Sequence, residues 1–99
     1  GICGPFLYFG ESSTKADEYT SAAPGGGRQL VVCRVLGGDV LYTEDAKPDK
    51  KALLGSLQRG THHSVLNDRE VTRGTYKEYA VLDPRQVLPE CVVHYDRLW

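Results

Sequence analysis

One carboxylate stands out in the run Tyr76–Asp83, whose alternating pattern predicts a short strand. Side chains alternate between the two faces of a strand, so Glu78 shares a row with Ala80 and Leu82 and is the only charge in that row. A carboxylate among apolar side chains costs free energy unless a partner or the hydroxyl groups of a ligand bind it. Glu78 is therefore the first candidate for chemistry. The alternative is a strand-edge glutamate that tilts into water.

Aromatic candidates come from the N-terminal part of the chain. The apolar run at positions 6–9 predicts a short buried strand that contains Tyr8. Hydroxyl side chains at positions 12–14 are typical helix caps and predict a helix from about Thr14 to Ala22. Tyr19 shares an i, i+3, i+7 stripe with Ala16 and Ala23, so we expect its ring to face inward.

The rest of the chain alternates strands with short helices and loops. We expect strands at Gln29–Leu36, Asp39–Thr43 and Pro89–Tyr95, a short helix at Lys51–Leu57, a turn at Asp83–Gln86 and a long polar loop at Thr61–Thr75. The first of these strands is nearly continuous in apolar and β-branched residues, which is typical of a central strand covered on both faces. Loops as long as the last segment are often functional. The pattern predicts one α+β domain without internal repeats.

Composition excludes several classes of protein. The 99 residues suffice for one domain or part of one, and 40% hydrophobic with 25% charged residues is ordinary for a soluble globular protein. A net charge of −1 provides no basic surface for nucleic acid or an anionic membrane. No apolar run approaches the roughly 18 residues that span a bilayer. Cys3, Cys33 and Cys91 form no close pair, so we expect reduced thiols in an intracellular protein, either nuclear or cytoplasmic.

Common cofactor and catalytic motifs are missing from the sequence. The glycines at Gly25–Gly27 lack the Lys-Ser/Thr of a phosphate-binding loop. His62 and His63 are adjacent and cannot both bind one metal ion from a strand, so we expect no metal. Neither Ser12 nor Ser13 has a histidine nearby in the sequence to act as a base.

Segments at positions 7–19, 30–37, 60–65, 76–83 and 86–90, spread along nearly the whole chain, resemble in this order the catalytic domain of poly(ADP-ribose) polymerases. Leu7–Tyr19 resembles the family's glycine-turn, Tyr-Phe, Ser-Lys-Ser-x-x-Tyr block, and Leu30–Gly37 resembles the strand that follows it. Gly60–Val65 is similar to the His-Ser-Val stretch before the family's catalytic glutamate, most of all in tankyrase-like members. Tyr76–Asp83 matches the Glu-Tyr-x-Val-x-Asp strand, and Gln86–Glu90 matches the Gln-Val-x-Pro-Glu approach to the last strand.

The resemblance implies that residues 1–99 are the C-terminal half of an α+β ADP-ribosyltransferase fold, with antiparallel β-sheets, a short helix and a cleft for NAD. It implies transfer of ADP-ribose from NAD to protein acceptors with release of nicotinamide. Tyr8 and Glu78 would then be catalytic, Tyr19 would stack on the nicotinamide, and Ala16 would stand at the position of the family's carboxamide-binding serine. A carboxylate near the ribose fits this chemistry because it stabilises the positive charge that develops there.

The same resemblance implies an acceptor-side loop that contains His63, Ser64 and Val65. Two departures from the family leave alternatives open. The chain begins without Met and has no counterpart of the family's His-Gly segment, so we expect part of a longer domain. Ala16 offers no hydroxyl group to a carboxamide. The alternatives are an inactive relative that binds ADP-ribose or a protein partner, and a fragment that lacks half of the NAD cleft and has no function alone.

Overall fold

A computed structural model of the chain describes residues 5–98, with the side chains of residues 72 and 73 left aside. Within this range the elements are β1 (Leu7–Gly10), α1 (Ser13–Asp17), β2 (Arg28–Val35), β3 (Val40–Thr43), α2 (Lys50–Gln58), β4 (Ser64–Asp68), α3 (Arg69–Arg73), β5 (Lys77–Val81) and β6 (Val87–Tyr95), with a 3₁₀ turn at Pro84–Gln86. The prediction of a small α+β protein with few helices is confirmed. Cys3 lies outside the described residues.

Four strands form one mixed sheet in the order β1-β5-β4-β3. Strand β5, which carries Glu78, lies inside this sheet and pairs antiparallel with both β1 and β4. Strand β3 runs parallel to β4, and α2 forms the crossover that parallel neighbours require. The expectation of antiparallel pairing alone is therefore wrong for β3 and β4, because the crossover helix between them fixes their common direction.

One face of the four-stranded sheet packs against α2. Leu53 of this helix is 5% exposed and lies in one buried cluster with Phe6, Val65 and Ala80. Two more leucines of α2 pack against the same cluster. The Asp49 side chain caps the helix by accepting a hydrogen bond from the backbone N–H three residues later, at 3.1 Å. The core thus occupies one part of this face and leaves the part around Glu78 to other elements.

Strands β2 and β6 form a separate two-stranded antiparallel sheet with an irregularity between Val32 and Cys33. Val31 is 58% exposed and Val92 is 50% exposed. The prediction that β2 is a central strand covered on both faces is therefore wrong, since β6 is its one partner within the described range. A continuous apolar run indicates that a strand is suited to burial, but it does not specify which element provides the cover.

The segment Thr61–Thr75, which the sequence predicted to be a loop, consists largely of β4 and α3. Asp68 caps α3 by accepting a hydrogen bond from Val71 N–H at 3.4 Å, and Gly74 ends the helix with a left-handed φ of 66°. The loop prediction was wrong because two polar residues of β4 are buried: Asn67 is 0% exposed and Asp68 is 6% exposed. Polar side chains predict exposure to solvent, whereas the fold places these two inside.

Helix α1 ends at Asp17 instead of near Ala22, where the sequence predicted its end. The Asp17 carbonyl accepts hydrogen bonds from Thr20 N–H and from the Arg97 guanidinium, both at 3.0 Å. These donors replace the next helical turn. The Asp17 carboxylate binds Arg97 at 2.9 Å and also accepts from the Tyr95 hydroxyl. Hydrogen bonds from Arg97 and Tyr95 hold the pKa of Asp17 below its ordinary value, and they tie α1 to the end of β6.

None of the helices within residues 5–98 combines the length and the apolar character that a membrane crossing requires. In the same range, no group of three or more His, Cys, Asp or Glu side chains is arranged to hold a metal ion. Cys33 and Cys91 are free thiols.

Candidate functional site

Glu78 lies in a row of residues that crosses the whole four-stranded sheet. In the strand register it is opposite Gly10 of β1 on one side and Asn67 of β4 on the other, and Asn67 is next to Thr43 of β3. Directly opposite residues share a face of the sheet. The row lies on the same face as the apolar residues that pack against α2, about 7 Å further along the strands. Polar chemistry and apolar core therefore share one face.

A cleft of about 440 Å³ opens beside Glu78. Its lining comes from Tyr8, Phe9 and Gly10 of β1, Lys15 and Ala16 of α1, and Tyr19 and Glu78. The volume lies within the range of about 300–1,000 Å³ that is typical of small-molecule sites. The structure thus brings together all four of the residues that the sequence assigned to the cofactor-binding set, which are Tyr8, Ala16, Tyr19 and Glu78.

Lys15 is the cation of this cleft. Its Nζ lies 3.9 Å from Glu78 Oε1 and 3.4 Å from Glu18 Oε2, and the Lys15 side chain is only 17% exposed. The lysine stem packs over Gly10, where a Cβ would make an ordinary van der Waals contact with Lys15 Cγ at 3.8 Å. Burial disfavours the ammonium charge, but Tyr19 and Glu18 outweigh this effect and raise the pKa of Lys15. A charged lysine therefore stands next to Glu78.

The two tyrosines of the cleft are held differently. Tyr8 is half-buried, and its ring makes an edge-to-face contact with Phe6 at a centroid distance of 6.4 Å. Tyr19 is 74% exposed, and Lys15 Nζ lies 5.3 Å from the centroid of its ring. The prediction that Tyr19 faces inward is wrong, because α1 ends two residues earlier and the helical stripe does not continue. Tyr19 forms an outer wall of the cleft, where a flat ligand can reach its ring.

Ala16 lines the cleft without offering a hydrogen-bonding side chain. Among the described residues of the lining, only Tyr8 and Tyr19 carry a hydroxyl group. Ser12 instead caps α1 by accepting a hydrogen bond from Lys15 N–H at 3.4 Å, and it lines an adjoining groove toward β2, which shares Tyr8, Phe9, Gly10 and Ala16 with the cleft. The nearby serine at the helix start therefore does not take the place of the missing hydroxyl group.

His63, Ser64 and Val65 do not form the predicted acceptor-side loop. Ser64 and Val65 begin the inner strand β4 and are 1% and 0% exposed. The Ser64 hydroxyl donates to the Gly37 carbonyl at 2.8 Å, and His63 Nδ1 accepts a hydrogen bond from a backbone N–H at 2.9 Å. The register places Ser64 beside Val81, three residues along β5 from Glu78. Ser64 and Val65 are therefore inaccessible to an acceptor protein, whereas His63 is exposed, so an acceptor-side role of this stretch stays a prediction.

A hydrogen bond behind the cleft ties β5 to the segment that enters α1. Tyr79 follows Glu78 on the opposite face of β5, and its hydroxyl donates to the Glu11 carboxylate. This hydrogen bond, with partial burial, raises the pKa of Tyr79 to about 12. Because Glu11 lies just before α1, the bond fixes the helix that carries Lys15 relative to the strand that carries Glu78.

Sequence reasoning did not single out Lys15 or Asn67. Lys15 carried a usable signal in the predicted helix, where residues four apart such as Lys15 and Tyr19 are neighbours, and the two side chains do meet although α1 ends at Asp17. Asn67 carried none, because its place beside Glu78 depends on the register of two strands. No protein-family model matches the chain. The candidate function therefore rests on the cleft and on the sequence blocks described above.

Proposed function

We propose that this chain is part of an ADP-ribosyltransferase of the poly(ADP-ribose) polymerase type, with the fold of that family. Its substrates would be NAD and protein acceptors. One observation carries the proposal: Glu78 is far from Tyr8 and Tyr19 in the sequence, yet the three residues line a single cleft. These are the residue types and positions to which the resemblance assigns stacking on nicotinamide and catalysis.

The cleft fits the nicotinamide end of NAD in size and chemistry. A volume of about 440 Å³ accommodates a flat ring with its attached ribose. Tyr8 and Tyr19 provide aromatic surface, and stacking contributes about 0.5–1.5 kcal/mol per ring pair beyond the area that it buries. The Glu78 carboxylate is 12% exposed, so it is reachable from the cleft while being shielded from bulk water.

In the reaction, the bond between ribose C1′ of NAD and the nicotinamide nitrogen breaks, and its electron pair stays on the nitrogen. An oxygen of the acceptor forms the new bond to C1′. Glu78 stabilises the positive charge that builds on the ribose, and it takes the proton that the acceptor hydroxyl loses. Lys15 pairs with Glu78 at 3.9 Å and fixes one side of the carboxylate. Tyr8 and Tyr19 hold the flat leaving group. Each of these roles belongs to a residue that lines the cleft.

A second candidate function is binding of NAD or ADP-ribose without chemistry. Ala16 supports it, because this side chain offers no hydroxyl group to a carboxamide and leaves Tyr8 and Tyr19 as the only hydroxyl-bearing side chains of the described cleft. A ligand held mainly by stacking and by Glu78 is less strictly oriented, and a small error of orientation costs rate more than affinity. This candidate predicts saturable binding of NAD with no release of nicotinamide.

The two candidates are separated by incubating the full-length protein with radiolabelled NAD and following protein labelling and nicotinamide release together. For the enzyme, Glu78→Gln keeps the size of the side chain but removes the charge and the proton acceptor. Loss of such a group typically lowers rates about 10²–10³-fold, so we expect labelling to fall by that factor. NAD affinity should change much less, because stacking remains.

Glu90→Gln is the matched control. Glu90 lies on β6 of the other sheet and pairs with Arg34 at 2.9 Å, so its loss removes a carboxylate of the same type away from the cleft. We expect labelling by Glu90→Gln to equal that of the unmodified protein. Full labelling by Glu78→Gln at an unchanged melting temperature would contradict the proposed role of Glu78.

A further inference from the structure

Tyr19, the outer wall of the cleft, combines an exposed ring with a firmly held backbone. Its side chain is 74% exposed, so packing in the apolar core does not fix its place. The turn that carries it runs from Asp17 to Thr20, and both of these residues are bound to the sheet of β2 and β6. The position of the ring therefore depends on contacts that the flanking residues make.

Arg97, two residues beyond β6, binds Asp17 through both its side chain and its backbone. Arg97 Nη2 lies 2.9 Å from Asp17 Oδ2, and Nε donates to Oδ1 at 3.0 Å. The same Nη2 donates to the Asp17 backbone carbonyl at 3.0 Å. Asp17 is 7% exposed, so these contacts are shielded from water. A planar guanidinium that bonds both carboxylate oxygens fixes orientation as well as position.

The other end of the turn is bound to both strands of the two-stranded sheet. Arg28 of β2 donates through Nη1 to the Thr20 carbonyl at 2.7 Å. The Tyr95 hydroxyl of β6 lies 3.3 Å from Thr20 Oγ1 and also donates to the Asp17 carboxylate. The Thr20 hydroxyl donates to the Asp17 carbonyl at 2.8 Å, which joins the two ends of the turn. We call these five residues, Asp17, Thr20, Arg28, Tyr95 and Arg97, the turn clamp.

The turn clamp adjoins the cleft without lining it. Lys15 and Ala16 come directly before Asp17, Tyr19 follows two residues after it, and all three of these neighbours line the cleft. Tyr19 N–H donates to the Ala16 carbonyl at 3.1 Å, and Lys15 Nζ lies 5.3 Å from the centroid of the Tyr19 ring. A wall that is in place before the ligand arrives loses less conformational freedom on binding, which strengthens binding.

We propose that Arg97 is a positioning residue for the cleft, which holds the turn through Asp17 so that the Tyr19 ring stands ready to stack on a flat ligand. The identity of that ligand rests on the function proposed above, while the placement of Tyr19 does not. A merely structural Arg97 would stabilise the fold and leave the ring where it is. The two roles therefore differ in where Tyr19 lies in an Arg97 variant that remains folded.

Proton chemical shifts of the Lys15 side chain test the placement of Tyr19 without any ligand. An aromatic ring shifts the resonances of protons above its face, so the methylene group next to Lys15 Nζ reports on the ring. Tyr19→Ala of the full-length protein gives the reference shift without the ring. We expect Arg97→Ala to move the Lys15 shift most of the way to this reference, because the turn is released from β6.

Arg34→Ala is the matched control. Arg34 pairs with Glu90 at 2.9 Å on the same two-stranded sheet, so its loss removes an arginine ion pair outside the turn clamp. We expect this variant to keep the Lys15 shift of the unmodified protein. Should Arg97→Ala not fold, Arg97→Lys replaces it, because an ammonium group keeps the charge but lacks the planar fork. An unchanged Lys15 shift in the folded Arg97 variant would overturn the proposal.

Titration with NAD shows whether Arg97 acts on binding through Tyr19. Stacking by one ring corresponds to a difference in affinity of about 2–12-fold, so we expect Arg97→Ala to raise the Kd for NAD within that range. In the Tyr19→Ala background, Arg97→Ala should have no further effect, since the ring that it positions is gone. Equal fold-changes in both backgrounds, or an unchanged Kd, would overturn the role in binding. If the unmodified protein does not bind NAD, the proposed function fails, and the Lys15 shifts still decide the placement.

Discussion

The two ends of one sheet face are built from the same strands but differ in burial and polarity. At one end, Val65 and Ala80 are 0% and 2% exposed and lie under Leu53 of α2. At the other end, the same two strands carry the polar residues Asn67 and Glu78, and a cleft opens beside Glu78. Two residues along each strand separate a closed apolar core from an open polar site. The closed end holds the strands in register, and the register is what places the polar groups side by side.

This division suggests that stability and function reside in different rows. Burial of apolar side chains contributes about 25 cal/mol per Å² removed from water, and the closed end provides that burial. Active-site polar groups are usually a local compromise of stability. We therefore expect substitutions at the closed end to act on unfolding, and substitutions at the open end to act on ligand binding or rate.

The largest effect on stability should come from Leu53→Ala. Truncation of a buried leucine typically costs about 2–5 kcal/mol, because it removes apolar contacts and leaves a cavity. We expect the free energy of unfolding, measured in urea, to fall within that range. Tyr19→Ala is the comparison at the open end, where a 74% exposed side chain predicts a change within about 0.5 kcal/mol. Similar losses of unfolding free energy in the two variants would contradict the division into a stabilising closed end and an open end that contributes little to stability.

A smaller effect should follow from the tie between α1 and β6. Arg97 and Tyr95 lower the pKa of Asp17, so its ionised form is favoured in the folded protein. Its contribution to stability is therefore complete above the ordinary aspartate pKa of about 4, and it is lost as the pH falls through the lower folded value. We expect melting temperatures of the unmodified protein to drop over this acidic range.

At neutral pH, Asp17→Asn should already lack the stability that the unmodified protein loses only in acid. Its melting temperature should depend less on acidic pH, since the asparagine side chain does not titrate. The comparison of the two melting curves from neutral to acidic pH isolates the contribution of this carboxylate. Parallel pH dependence of the two proteins would show that other carboxylates, such as Asp83 beside Arg85, dominate the acid response.

Local sequence patterns predicted those parts of the fold in which apolar residues are buried and polar residues are exposed. Strand β5 was predictable because alternation placed Glu78 among residues that the structure buries, and α2 was predictable as a short helix. Strand β4 was missed because Asn67 and Asp68 are polar but buried, and no local signal distinguishes such residues from a loop. The parallel pairing of β3 and β4 depends on a crossover, which is a property of the whole chain.

The sequence predicted which residues form the candidate site better than it predicted how they are arranged. Tyr8, Tyr19 and Glu78 were chosen from the sequence, and they line one cleft. The orientation of Tyr19 was not predictable, because the early end of α1 depends on the distant Arg97. The neighbours of Glu78 in its row were not predictable either, because they depend on which strands pair with β5 and in what register.

The central claim is that the open end binds the nicotinamide part of NAD, and mapping of the bound position by NMR tests it most directly. The experiment follows the backbone amide resonances of the full-length protein during titration with NAD. We expect saturable shifts at Lys15, Tyr19 and Glu78, which line the cleft but not the adjoining groove beside β2, and none at Leu53 in the closed end. Shifts at Val31 and Ser64 of that groove without shifts at Lys15, Tyr19 and Glu78, or no saturable shift at all, would contradict the claim.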